Sequence, residues 1–409
     1  MKRRNASIPQ INNNASAFSA LASENRLLLF TALACSENAH IDDTIRSTIP
    51  DISDWDRVVR LLVHHGTLKL FIDHLERLEV MHAVPASLKE QLLGTSLVLR
   101  YRNSRFLEEM KKIADVFRDQ KVGVVFIKGA MLTLSGYYDA ESRFMEDIDC
   151  VVNPAFAEQA RALLLGMGYR EPDEQKQNTQ LHFRGEMEFF NRRDHELKVE
   201  ISLKLNKNYE LARCYPFRDE ELQGKLVEKV ANGVRFLEIE KEYHFIYCLF
   251  HHVALNYLHR LNWLNDLYLM ASDEEMDWRK VESYLDAYGL RKSWALLRNI
   301  FDHHFHMQFG PASQSVCGPL KTLFLSDDCR FADLEVIEQN NVSVRFQLID
   351  SIWHKMSVVI RKIVLPPEWL RLYYRLDRRA SVVQIYFVHF TDSLKRFFKI
   401  RTRHGRHND

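Results

Sequence analysis

Val124–Val152 reads VVFIKGAMLTLSGYYDAESRFMEDIDCVV, and the rest of the chain is organised around it. An apolar run stops at Lys128-Gly129, a short helix-like segment follows, and a second apolar strand carries Asp147 and Asp149. In a strand, residues i and i+2 share a face, so both carboxylates project together while Ile148 and Cys150 turn toward a core. Two hard anionic oxygen donors on one rigid element suit a Mg²⁺ or Mn²⁺ ion that also holds a nucleoside triphosphate. Asp-x-Asp alone is short and common, and most copies are solvated. Here the pair interrupts an apolar stretch, where aspartate is disfavoured by strand propensity and by burial. A buried carboxylate pair needs a counter-charge, and a bound cation supplies one.

A third carboxylate is found downstream. Leu197–Leu205, LKVEISLKL, alternates as a strand, with Leu197, Val199, Ile201 and Leu203 on one face and Lys198, Glu200, Ser202 and Lys204 on the other. Paired beside the Asp147 strand, Glu200 completes a three-carboxylate cluster. The plainer alternative is a solvent-facing residue beside Lys198. His182–Phe190 is also strand-like, and the polar Asn191–Glu196 suits a hairpin turn between the two.

Together, Lys128-Gly129, Arg143, Asp147-x-Asp149 and Val199-Glu200 resemble the pattern of an uncharacterised nucleotidyltransferase family within the polymerase-beta-like superfamily. The resemblance extends to an amphipathic helix over Arg100–Gln120 and, downstream, to His252, Arg260-Leu261, Trp263 and Asp266. It implies an α+β fold, a small mixed sheet of the polymerase-beta-like type flanked by N- and C-terminal helical modules. It also implies Mg²⁺-dependent (or Mn²⁺-dependent) transfer of a nucleoside monophosphate from a triphosphate to a hydroxyl acceptor, by in-line attack at the α-phosphorus. In that reading Asp147 and Asp149 bridge the metals, and Glu200 ligates the catalytic one and helps deprotonate the acceptor. Gly129 admits phosphates to a helix start, Lys128 adds charge there, and Arg143 is a candidate phosphate clamp. His252, Arg260 and Asp266 are expected to line the cleft. Two features depart from better-known members of the superfamily: Lys128-Gly129 stands where they carry Gly-Ser, and Glu200 where they carry Asp. The plainer alternatives are a solvated strand-end lysine for Lys128 and, for Arg143, a surface partner of Glu141 or Glu146.

A chain of 409 residues exceeds one ordinary core. We expect a disordered stretch over 1–18, a helical module over 19–120, the sheet core over 121–206, a second helical module closing the cleft over 207–310, and a helical C-terminal region over 311–409. Val58, Leu61, Leu62 and His65, then Leu68, Phe71, Ile72 and Leu75, recur at helical spacing. Glu242–Met270 reads as one long apolar helix on which His252, Asn256, His259, Trp263 and Asp266 share a face. His251-His252 and His303-His304-Phe305-His306 match no zinc spacing, so core or surface histidine is the reading.

With 56 Lys+Arg against 55 Asp+Glu, no global field announces nucleic acid. Six cysteines without a Cys-x-x-Cys pair read as reduced thiols of a cytoplasmic protein, and no leader-like apolar segment follows Met1. Ala380–Phe398 places Val382, Ile385, Tyr386, Phe390, Leu394 and Phe397 along one helical face, and Lys395, Arg396, Lys399, Arg401, Arg403 and Arg406 follow closely. Such a basic amphipathic tail either makes a peripheral membrane contact or docks on its own domain. The acceptor (a protein, a sugar, an RNA end or a small molecule) leaves no signature. Two other readings share the Asp-x-Asp: a metal-dependent glycosyltransferase and a non-catalytic binding protein of the same fold. Against the glycosyltransferase, everything ahead of Lys121 reads as helical.

Overall fold

Capping residues start the first helices. In the computed structural model, Asn38 and Asp54 accept hydrogen bonds from the backbone N–H groups of Ile41 and Arg57, satisfying donors that a helix start leaves unpaired. The structure describes residues 22–34, 38–139, 142–172, 181, 184–231, 233–312, 346–374, 376–377 and 379–392. The expectation for residues 1–18 and the basic residues from Lys395 onward lie outside these, as do Cys35, Cys317 and Cys329.

Five helices come first: α1 (Ser23–Phe30), α2 (Ala39–Thr48), α3 (Trp55–His65), α4 (Leu68–Arg77) and the long α5 (Ala86–Asp119). Val58, Leu61, Leu62 and His65 of α3, and Leu68, Phe71, Ile72 and Leu75 of α4, are buried. Their three-to-four spacing gives each helix one apolar stripe, which packs inward. Gly66 ends α3 in the left-handed conformation at φ +67°, which glycine adopts at little cost.

The chain then enters a five-stranded sheet of β1 (Val124–Phe126), β2 (Ile148–Val152), β3 (Tyr169–Arg170), β4 (Glu186–Asn191) and β5 (Lys198–Ser202). Their spatial order is β1-β2-β5-β4-β3. Only β2 and β5 run parallel, so the sheet is mixed. Helix α6 (Lys128–Leu134) joins β1 to β2, and α7 (Ala157–Gly166) follows β2. Val199 and Ile201 on β5, with Ile148 and Cys150 on β2, are fully buried. A two-stranded ribbon, β6 (Leu226–Ala231) and β7 (Val234–Ile239), packs through β7 against β1 and α5.

Helices return after the sheet: α8 (Asp219–Gln223), α9 (Lys241–Leu249), α10 (Leu261–Ala271), α11 (Trp278–Ala287), α12 (Arg291–Phe305), α13 (Ile352–Ile363), α14 (Pro367–Tyr373) and a last helical stretch over 382–392. The architecture is α+β, a small mixed sheet between helical layers.

The expected single helix over Glu242–Met270 is corrected by the structure. It is broken into α9, a π-helical turn at Phe250–Leu255, an irregular loop, and α10. Tyr257 and Leu258 both adopt left-handed backbone angles, φ 54° and 51°, a strained state for non-glycine residues. Both side chains are buried, which offsets that strain. Past the break, Arg260 pairs with Glu146, which lies just ahead of β2. No helix among the described residues is long and apolar enough to cross a membrane.

Candidate active site

Strand register builds the centre of the site. Asp149 on β2 lies opposite Glu200 on β5, and Glu200 lies opposite Glu188 on β4. Asp147 stands just ahead of β2 rather than within it. Carboxylate oxygens of Asp147, Asp149 and Glu200 lie within 4.8 Å of one another, and Glu186, Glu188 and Glu200 form a second such group. Like charges directly opposite on neighbouring strands repel, so this row requires compensation.

Three lysines supply it. Lys128 Nζ reaches Asp149 Oδ1 at 2.8 Å. Lys207 pairs with Glu200 and, at 3.0 Å, with Glu186. Lys198 Nζ lies 3.3 Å from Glu188, 3.6 Å from Glu200 and 3.7 Å from Asp147. The carboxyls respond in opposite senses. Burial, then the nearby Asp149 charge, pushes Asp147 up to about 7. Burial also opposes ionisation of Glu200, but Lys207, Lys128 and Lys198 override it and hold that carboxyl far below its usual range. Lys128, despite burial, is held protonated chiefly by Asp149.

Lys128 opens α6 with a left-handed φ of 52°, a backbone outlier at the functional centre. Gly129 beside it cannot carry a side chain: a Cβ there would stand 1.8 Å from Arg143 Nη1. Arg143 lies across this helix start and forks onto Asp266, Nε to Oδ1 at 2.8 Å and Nη2 to Oδ2 at 2.7 Å. Tyr138 donates to the same carboxylate at 2.7 Å, and Asn265 Nδ2 donates to the Tyr138 hydroxyl. His252 Nε2 lies 3.3 Å from Asp266 Oδ2 and its ring stacks on Trp263. Asp266 is wholly buried. The Arg143 fork is thus engaged by Asp266, while Nη1 donates to the Phe144 carbonyl at 3.3 Å and the side chain still borders the cleft. Asp266 itself lies beneath the cleft wall instead of lining it. The glycine at 129 is explained by Arg143 before any ligand is considered.

The carboxylates face a cleft of about 590 Å³ whose lining includes Lys128, Gly129, Arg143, Glu200, His252 and Arg260, within the size range of small-molecule sites. Arg260, on the loop after the π-turn, pairs with Glu146 at 2.8 Å, so the strand side and helical side meet at the rim. Sequence reasoning overlooked Lys207, Glu186 and Glu188 and, having placed Lys198 on the Glu200 face, gave it no role. Alternation alone could have flagged Glu186 and Glu188, which share the β4 face opposite Glu200. Lys207 sits in an irregular loop and carries no such signal.

The family model described as uncharacterised nucleotidyltransferase matches residues 51–306. That span contains every residue named in this site. No curated protein matches the chain. Among solved structures, that of the antibiotic-resistance factor ANT(2'')-Ia aligns at 16% identity with a TM-score of 0.34, over 50% of this chain and 100% of that one.

Proposed function

Because the chain belongs to the family of uncharacterised nucleotidyltransferases, we propose that it moves a nucleoside monophosphate from a triphosphate to a hydroxyl acceptor in this cleft, with Mg²⁺ or Mn²⁺ held by Asp147, Asp149 and Glu200. The carrying observation is the convergence of those three carboxylates within 4.8 Å, Asp149 and Glu200 on the parallel β2–β5 pair and Asp147 just ahead of β2. Their hard oxygen donors suit such an ion, and the three lysines among them mark a spot where positive charge is needed. The mixed sheet supports placing the fold in the polymerase-beta-like type, with the sheet core over 121–206 between helical modules.

A bound ion supplies charge stabilisation at the phosphoryl oxygens and the leaving pyrophosphate. The chain's own groups do the rest. Lys128, now on Asp149, sits at the start of α6 where it can also meet a phosphate. Lys207, Arg184 and Arg260 line the same cleft and offer further counter-charge. Asp147 holds a proton near neutrality and must release it to act as a ligand. The resemblance gave Glu200 a part in deprotonating the acceptor. A carboxyl held so far below the usual range is a weak base, so we assign it the holding of positive charge. Arg143, in the cleft lining with its fork on Asp266, fixes the helix start.

A glycosyltransferase reading gains nothing from the fold, since among the described residues no strand precedes β1. Purified protein incubated with α-labelled triphosphates and a cell lysate should transfer label to one fraction in Mg²⁺, and Asp149→Asn should transfer none. Equal labelling by the variant, or none from any triphosphate with either protein, would sink the proposal.

A further inference from the structure

Charge is distributed unevenly along this nearly neutral chain. Residues 352–409 carry thirteen Lys and Arg against four Asp and Glu, a net +9, while the whole chain carries +1. The same region turns apolar side chains outward. On α13, Ile352, Trp353, Met356, Val359 and Ile360 are exposed, Trp353 at 73%, whereas Val358 is buried. Their spacing places them on one helical face. Over 382–392 the pattern repeats: Val382, Val383 (79%), Phe387 (67%) and Phe390 face solvent while Ile385 is buried. Of the residues expected on one face, Val382 and Phe390 are exposed, Tyr386 is half-buried and Ile385 docks inward, while Leu394 and Phe397 lie outside the described residues. These helices are tied together, Tyr386 donating to the Leu365 carbonyl and Arg371 to that of Ala380.

We propose that this C-terminal helical layer is a peripheral docking surface for an anionic lipid bilayer, with Trp353, Phe387 and Phe390 entering the headgroup boundary. Helices that lie in a membrane interface combine an aromatic and aliphatic face with basic flanks, as this region does. Exposed apolar patches of this kind otherwise mark a protein contact. By sequence, residues 352–409 carry net +9, so two copies of this region repel each other, whereas a surface of anionic headgroups attracts it. The inference is independent of the chemistry in the cleft and of its success or failure.

The test is co-sedimentation of the full chain with vesicles of phosphatidylcholine alone, and of phosphatidylcholine mixed with phosphatidylserine. Wild type should pellet with the phosphatidylserine vesicles and not with the neutral ones, and added salt should release it. Trp353→Ala and Phe387→Ala should each lower the partition coefficient roughly tenfold. Both side chains are mostly exposed, so the variants should keep the wild-type unfolding temperature. Failure to pellet with phosphatidylserine vesicles, equal pelleting with neutral ones, or undiminished pelleting of both variants would overturn the proposal. So would a stable dimer by sedimentation velocity that the same substitutions split into monomers, since a second copy would then cover the face.

Discussion

Asp147 and Glu200 share one cluster yet are driven apart, the first up to about 7 by burial and Asp149, the second far down once three lysines outweigh burial. Separation of this sort assigns different duties to neighbouring carboxyls. A ligating carboxylate must be ionised, so binding of Mg²⁺ below neutrality must expel the Asp147 proton. Affinity should therefore rise by up to about tenfold per pH unit as pH approaches 7 and level off above it. Titration calorimetry at pH 6 in buffers of different ionisation enthalpy should show close to one proton released. Asp147→Asn should bind more weakly and release none; the same proton count in the variant would remove Asp147 from the ligand set. At position 129 the limit is steric. Gly129→Ala places a methyl group on the Arg143 guanidinium, and displacing that group from Asp266 should cost about 2–4 kcal/mol of unfolding free energy. An undiminished stability in denaturant titration would show that Arg143 has another place to go.

At the scale of elements, the site depends on three pieces meeting: the β2–β5 pair, the start of α6, and α10, whose Asp266 anchors Arg143 from behind. Arg143→Ala leaves the Asp266 carboxylate buried without its forked partner, and should destabilise the fold by about 3–5 kcal/mol. Arg143→Met paired with Asp266→Leu removes both charges and should recover much of that loss in chemical denaturation. No recovery would mean that Tyr138 and His252 need the carboxylate more than Arg143 does. This is also where legibility from sequence divides. The β2–β5 pair was readable because alternation in LKVEISLKL and the charged interruption of an apolar run both report a face. The Arg143–Asp266 fork was not, since an arginine reads the same whether it meets phosphate or a carboxylate 123 residues away. Nor was the break at Asn256–Arg260, which contains neither glycine nor proline and is held by burial of Tyr257 and Leu258. Lys198 and Lys207 belong to the same blind spot. A lysine beside a strand is ordinary until the opposing strands are known.

For the whole molecule, acid response follows from where the histidines lie. Burial lowers His65 and His244 to about 3 and His304 to about 4, so each is neutral when folded and charges when unfolded. A depressed folded value gives stability that is complete above the unfolded value, near 6.5, and is lost as pH falls toward the folded one. Asp147 works the other way: its raised value favours the folded state at low pH, and that advantage fades as pH rises from about 4 through about 7. Each group contributes at most about 1.4 kcal/mol per pH unit inside its window. His65 and His244 together outweigh Asp147, and between pH 6 and 4 the fold should lose roughly 1 kcal/mol per unit from these three alone. Below about 4.5, Asp266 and Glu200 join the loss, because each is held ionised by its cationic partners against the burial that opposes it. Thermal unfolding followed across this range should show a steadily falling midpoint. His244→Gln, which cannot take up the proton, should flatten the slope between pH 6 and 4 by about 1.4 kcal/mol per unit. An unchanged slope in that variant would mean that acid opens the structure elsewhere, before the buried imidazole is reached.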